Sequence, residues 1–227
     1  MMNLSLVEPK INPDDIPVTY DEIGRIYHIN CNQYYSCSTL LGNVLDHSHL
    51  AVWKERVDDP DKILRQAGQL GTDYHSLGEN FLLNRPLPKV QWLAEHFFDQ
   101  TAPLLNANVT EVKGVELVLY SDIIKIAGRT DAIVYWKGKL SVLDFKCIGH
   151  HNPEWLEGYW SQLSIYAHMY GFLYGVKPKN LVLVVANKKN MKVKVFESST
   201  ILHDERTVEL IKDFHSFLRT KNARNVV

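Results

Sequence analysis
The sequence predicts an α+β member of the α/β class: a mixed central sheet flanked by helices, preceded by a helical N-terminal part. Three observations predict it. Segments 123–136 and 139–147 read as β-strands and meet at Lys137-Gly138-Lys139, the pattern of two strands joined by a tight turn. Segment 157–170 carries its apolar residues at helical spacing. The middle of the chain therefore runs helix, three strands, helix, strand. No Pro/Gly/Ser linker, internal repeat or low-complexity run breaks it. Residues 1–227 thus read as a single domain: a hairpin and helical part over 1–105, a core over 106–200 and a C-terminal helix over 201–227.

Taken in order, Pro17 to Ile29 reads as a hairpin around Asp21-Glu22-Ile23-Gly24. Helices are expected near 37–46, 49–57, 60–83 and 88–104. The third starts at Asp58-Asp59-Pro60-Asp61, where proline suits the first turn and the acids suit its positive end. Strands are expected near 109–120, 123–136, 139–147, 180–187 and 191–197, with a helix near 156–175 between the third and fourth. A final helix over 203–220 puts Val208, Leu210, Ile211, Phe214, Phe217 and Leu218 on one face.

Composition narrows the function classes. At 227 residues, with 45% hydrophobic and 11% aromatic content, this is an ordinary globular chain. No apolar stretch approaches the ~20 residues that span a bilayer, so no membrane partner is expected. The opening Met1-Met2-Asn3-Leu4-Ser5-Leu6-Val7-Glu8 has neither signal-peptide nor transit-peptide character. Cys31, Cys37 and Cys147 are too few for a Cys₄ iron–sulfur cluster and point to a reducing compartment. The expected location is cytoplasmic (host cytoplasm if the family resemblance described below reflects a phage origin), and mitochondrial only where a transit peptide has been removed. A net charge of -1 is not that of a protein coating DNA. The basic stretches 188–194 and 219–224 are candidates to track a DNA backbone, although a solvated surface is the simpler reading of each.

The chemistry concentrates in Asp131, Asp144 and Lys146. The two acids lie thirteen residues apart on the paired strands, so the hairpin sets them side by side. Side chains alternate along a strand, so Asp144 and Lys146 share a face. Mg²⁺ needs only one or two carboxylates besides water and substrate oxygens. A lysine beside such a site can stabilise charge on phosphate or position the attacking water. A lone D-x-K, however, is far more often an exposed Asp/Lys pair.

The neighbours change that. Gln162 and Tyr166 lie four apart on one helix, His75 and Glu79 four apart on another. The G-x-x-x-H of Gly71 to His75, the G-x-x-D of Gly128 to Asp131, the D-x-K of Asp144 to Lys146 and the Q-x-x-x-Y of Gln162 to Tyr166 come in that order. Together they resemble the PD-(D/E)xK nuclease superfamily and its RecB-like exonuclease branch. Within the branch, Tyr35-Ser36-Cys37-Ser38-Thr39-Leu40-Leu41 followed by Trp53-Lys54 is similar to the opening of the mitochondrial genome maintenance exonuclease group and its phage and bacterial relatives. The proline of that opening is absent here.

The resemblance implies a restriction-endonuclease-like core. It implies Asp131 and Asp144 as metal ligands, Lys146 as the catalytic lysine, His75 as a further ligand, and the Cys147 backbone carbonyl completing the shell. Gln162 and Tyr166 would position substrate phosphates, and Glu116 would order water or DNA; Glu79 would stand behind the ligands or be a solvated helix residue. Ordinary helix packing is the competing role for Tyr166. The implied cofactors are one or two Mg²⁺ or Mn²⁺ ions with no iron–sulfur cluster. The implied activity is a DNA exonuclease working from free ends of single-stranded DNA in replication, repair or recombination, alongside proteins of those processes. A flap or branch endonuclease, or a silent DNA-binding subunit, is the alternative. The group also implies a helical arch over the site, with Trp53, Tyr74, Trp92, Phe97 and Phe98 as candidate stacking surfaces. Trp53 is favoured for DNA contact, and Trp92, Phe97 and Phe98 are expected in the core.

Overall fold
The structure, a computed structural model, describes residues 1–46, 48–149 and 153–224. It opens with three short strands, β1 (Val18–Tyr20), β2 (Arg25–Ile29) and β3 (Asn32–Ser36). The expected hairpin is β1 with β2, Val18 opposite Tyr27. β3 was not expected. It follows a turn in which Asn30 and Cys31 both have positive φ, 49° and 62°. Such two-residue turns normally advertise themselves as Asn-Gly, and cysteine hides this one.

α1 (Cys37–Val44) begins directly after β3, where the Ser36 hydroxyl accepts the Thr39 N–H as its cap. α2 (Ser48–Glu55) follows, then α3 (Pro60–Leu82), capped by Asp59 as its sequence predicts. From Asp61 to Gln69 α3 stands almost wholly in solvent, and burial begins at Leu70. α4 is Trp92–Asn108 rather than 88–104. Pro86 and Pro88 keep the approach out of the helix, and an exposed Pro103 is tolerated inside it. Trp92 is consequently not in the core: it sits in the first turn of α4, 67% exposed, stacked on His96. Phe97 and Phe98 are buried as expected.

The remaining elements are β4 (Val109–Ser121), β5 (Ile126–Trp136), β6 (Lys139–Ile148), α5 (Pro153–Tyr174), β7 (Asn180–Asn187), β8 (Lys192–Ser199) and α6 (Asp204–Arg224). The sheet order is β1-β2-β3-β5-β6-β7-β8, with β4 also paired to β5. Parallel pairs β3/β5 and β6/β7 among antiparallel ones make the sheet mixed. One face packs on α3 and α4 through Tyr74, Phe97, Leu105, Val134, Phe145 and Val184. The other packs on α1, α5 and α6 through Leu40, Ile133, Leu163, Leu183, Leu210 and Phe214. Each such buried side chain contributes roughly 1.5–3 kcal/mol. No described helix is long and apolar enough to cross a membrane.

One irregularity of this sheet positions the site. β4 lines one edge of β5, and two strands share the other. Ile126 and Ala127 pair with β3, while Ala132 to Trp136 pair with β6. β6 leaves β5 after Leu143 and continues against β7 to Ile148. The sheet forks there, and Asp131 and Asp144 stand at the split.

Candidate active site
Continuing the β5–β6 register one step past its last pair, Ala132 with Leu143, sets Asp131 opposite Asp144. Between the pairs Val115–Ala132 and Leu117–Thr130, Glu116 falls opposite Asp131. Three acids therefore occupy one row across β4, β5 and β6. The ladder gives way around them. Asp131 Oδ2 accepts the Phe145 N–H at 2.8 Å, where a regular ladder would offer a backbone carbonyl. Glu116 has φ 54°, beside a register shift at Val112/Gly114. A left-handed backbone costs a non-glycine residue roughly 1–2 kcal/mol. Strain and like charge in one row favour neither strand nor core.

Three cations or dipoles answer the acids. Lys146 Nζ lies 2.6 Å from Asp144 Oδ2, Arg129 3.3 Å from Glu116 Oε2, and His75 Nδ1 3.3 Å from Asp131 Oδ2. The Lys146 ammonium also sits over the Tyr159 ring at 5.2 Å. Burial pushes the Asp144 carboxyl above its ordinary pKa and Asp131 adds to this, against the pull of Lys146 and His75. Burial opposes the charge on Lys146, but Asp144 and Asp131 outweigh it and raise its pKa. Burial, then the charges of Glu79 and Asp131, lift Glu116 to about 7 against the pull of Arg129.

Two glycines let helices approach the fork. A Cβ on Gly78 would stand 2.5 Å from the Phe145 ring, so α3 rests its backbone on the residue between Asp144 and Lys146. Phe145 in turn meets His75 edge-on at 6.2 Å. On the other face, a Cβ on Gly128 would stand 2.7 Å from the Tyr166 ring of α5.

Of the residues singled out in the sequence, Asp131, Asp144, Lys146, His75 and Glu116 come together here. Glu79 lines a cleft of about 280 Å³ with Glu116, Arg129 and Arg85. Burial raises the Cys147 thiol to about 12 and its side chain packs against the α3/α4 face, leaving its backbone carbonyl as the candidate donor. Tyr166 is a core residue, 4% exposed, whose hydroxyl accepts from Gln162 Nε2 at 3.2 Å. Gln162 itself is half-buried. Trp53 is half-buried on α2, and none of the contacts described for the row involves it. Tyr74 is fully buried with its hydroxyl 2.6 Å from that of Thr101, so it packs α3 on α4 and offers no stacking surface. Sequence reading missed Arg129 and Tyr159. Their signal was spacing: Arg129 stands two residues before Asp131, and Tyr159 one helical turn before Gln162.

The donor set suits a hard divalent cation, which takes oxygen ligands and keeps several waters. Asp144 Oδ2 is buried, and among the described residues the Lys146 ammonium at 2.6 Å is what answers its charge. Burying two carboxylates with one ammonium between them leaves negative charge that a divalent cation would offset. Among the described residues, no three His, Cys, Asp or Glu side chains already close on one point as a metal cage. Glu116 is turned to Arg129 and Asp131 to the Phe145 N–H.

The family model described as the PD-(D/E)XK nuclease superfamily matches residues 5–225. No curated protein matches the sequence significantly. Among solved structures, the alkaline exonuclease LHK-Exo from Laribacter hongkongensis is 10% identical at TM-score 0.36, over 84% of this chain and 94% of that one. A phage-related exonuclease from Haemophilus somnus 129PT is 11% identical at TM-score 0.36, over 86% and 97%. The protein SSO0001 is 24% identical at TM-score 0.32 over 40% of this chain, which spans only 41% of its length.

Proposed function
Because this chain belongs to the PD-(D/E)XK nuclease superfamily, we propose that it is a metal-dependent DNA exonuclease of the RecB-like branch, acting from free ends of single-stranded DNA in replication, repair or recombination. The observation that carries this reading is the Asp131–Asp144–Lys146 cluster at the fork of the sheet, two buried carboxylates converging with one ammonium. Asp131, Asp144, His75 and the Cys147 carbonyl would hold one or two Mg²⁺ or Mn²⁺ ions. When bound, such an ion supplies Lewis acidity toward phosphoryl oxygen and lowers the pKa of water.

The chain's own groups supply the rest. Lys146, kept in its ammonium form by Asp144 and Asp131, stabilises charge gathering on the phosphate. Tyr159 beneath that ammonium limits where it can swing. Glu116, with its pKa near 7, can hold or release a proton at neutral pH on the Arg129 side of the row. His75 steadies Asp131 from α3, and Gln162 on α5, whose Nε2 donates to the Tyr166 hydroxyl, would have to turn from that contact to reach a substrate phosphate.

Digestion of end-labelled linear and covalently closed circular single strands, each with Mg²⁺, Mn²⁺ or EDTA, tests this reading. Metal-dependent loss of the linear strand with intact circles is expected. Cut circles would make the protein an endonuclease, and no cleavage with either metal would leave a binding subunit.

A further inference from the structure
We propose that Lys192 and Lys194 form a second phosphate subsite, one that grips the backbone of a single nucleic-acid strand beside the bond being cut. The inference rests on the nuclease reading above. Lys146 stands opposite Val185, and Val185 opposite Lys194. One step along, Ile148 stands opposite Asn187, and Asn187 opposite Lys192. Residues opposite one another in a ladder share a face, so Lys146 and Lys194 project from the same side of the sheet, about 10 Å apart across two strand spacings. The packing agrees. Val193 and Val195 point to the α3/α4 core, while Phe196 packs on the opposite face with Leu183 and Val185.

Both lysines line one cleft of about 170 Å³ with Asn187, Asn190 and Ile148, and Ile148 lies only two residues past Lys146. The cleft thus begins where the β6 arm of the fork ends. Both lysines are exposed, and neither is in an ion pair among the described residues, unlike Lys137, which holds Glu197 at 2.5 Å. From 176 to 196 the chain carries six lysines and no acid, so this end of the sheet has no carboxylate of its own strands to neutralise it. A phosphodiester suits these groups: point charges on flexible stems meet its oxygens, and the two asparagine amides add donors. A strand held at Lys146 and again at Lys194 must lie across β6, β7 and β8, which fixes its direction over the site. A merely solvated lysine pair would make no demand on substrate length.

The test compares wild type with Lys192→Ala/Lys194→Ala on a single strand of about twelve nucleotides and on a dinucleotide too short to span the rows. Binding of the longer strand is measured against salt in EDTA, and cleavage kinetics are measured with metal. The double variant should flatten the log–log salt slope by about 1.4, the loss of two single-strand phosphate contacts, and raise KM on the longer strand by about tenfold. Its kcat, and its kcat/KM on the dinucleotide, should stay near wild type. An unchanged slope with unchanged KM overturns the subsite and leaves the nuclease reading standing. Wild-type protein that cleaves neither substrate sinks the nuclease reading and the subsite with it.

Discussion
Gly78→Ala should damage catalysis more than stability. A Cβ there meets Phe145 Cε2 at 2.5 Å, Cζ at 2.6 Å and Cδ2 at 3.0 Å. Phe145 is fully buried and touches both Tyr74 and His75, so the ring has little room to turn aside. α3 must lift instead. Overpacking of this kind costs about 1–3 kcal/mol, offset by the ~1 kcal/mol that alanine gains over glycine inside a helix. The net loss of roughly 0–2 kcal/mol lowers Tm by up to about 8 °C at this chain length. The lift also moves His75, one turn away, from Asp131, and disturbs the Phe145 N–H that anchors Asp131 Oδ2. Displacements near 1 Å in a catalytic constellation can cost about a hundredfold in rate. Gly68→Ala on the same helix is the control, because a Cβ there meets nothing within 4 Å. It should stabilise by up to about 1 kcal/mol and leave activity intact. Urea unfolding and single-turnover cleavage of both variants decide the matter. A Gly78→Ala protein as stable and active as Gly68→Ala refutes the argument that α3 positions the site through this contact.

Other expectations follow from the same geometry. Lys146→Ala should still bind DNA yet lose at least about a hundredfold in turnover, with poor rescue by arginine, since ~3 kcal/mol of transition-state stabilisation goes with the ammonium; near-wild-type turnover removes its catalytic role. Glu116 has a folded pKa of about 7 against an ordinary 4.5, so the metal-free protein loses stability as pH rises through that window. Glu116→Gln should reduce the fall between pH 4 and pH 8, by up to about 3 kcal/mol before discounting for a side chain that is 30% exposed. Equal slopes in denaturant melts across pH would show that this carboxyl is not strained. Trp53→Ala should weaken binding of a single strand by about 1–3 kcal/mol of stacking, with little change in Tm; lower Tm with unchanged affinity would make Trp53 a packing residue.

Much of this was legible because strands announce themselves by residue type and the Lys137-Gly138-Lys139 turn fixes their register. That turn alone sets Asp131 opposite Asp144. Glu116 was different. Its place in the row depends on a left-handed residue and a register shift, which no alternation pattern encodes, and only family resemblance reached it. β3 was hidden because Cys31 adopts a conformation usually marked by glycine. Trp92 and Tyr74 exchanged expected roles. Helical periodicity reports a face, but not whether a helix end overhangs its support, as the first turn of α4 does. The fork itself arises from β3 and β6 sharing one edge of β5, a long-range fact invisible in any local window.

Isothermal titration of Mn²⁺ into wild type and Asp144→Asn tests most directly whether the acids at the fork bind a divalent cation. Asparagine keeps the shape of the buried side chain while removing the charge that an ion would need. Wild type should bind, and the folded variant should lose most of that affinity. Equal affinity in the two proteins would contradict the assignment of the metal to Asp144.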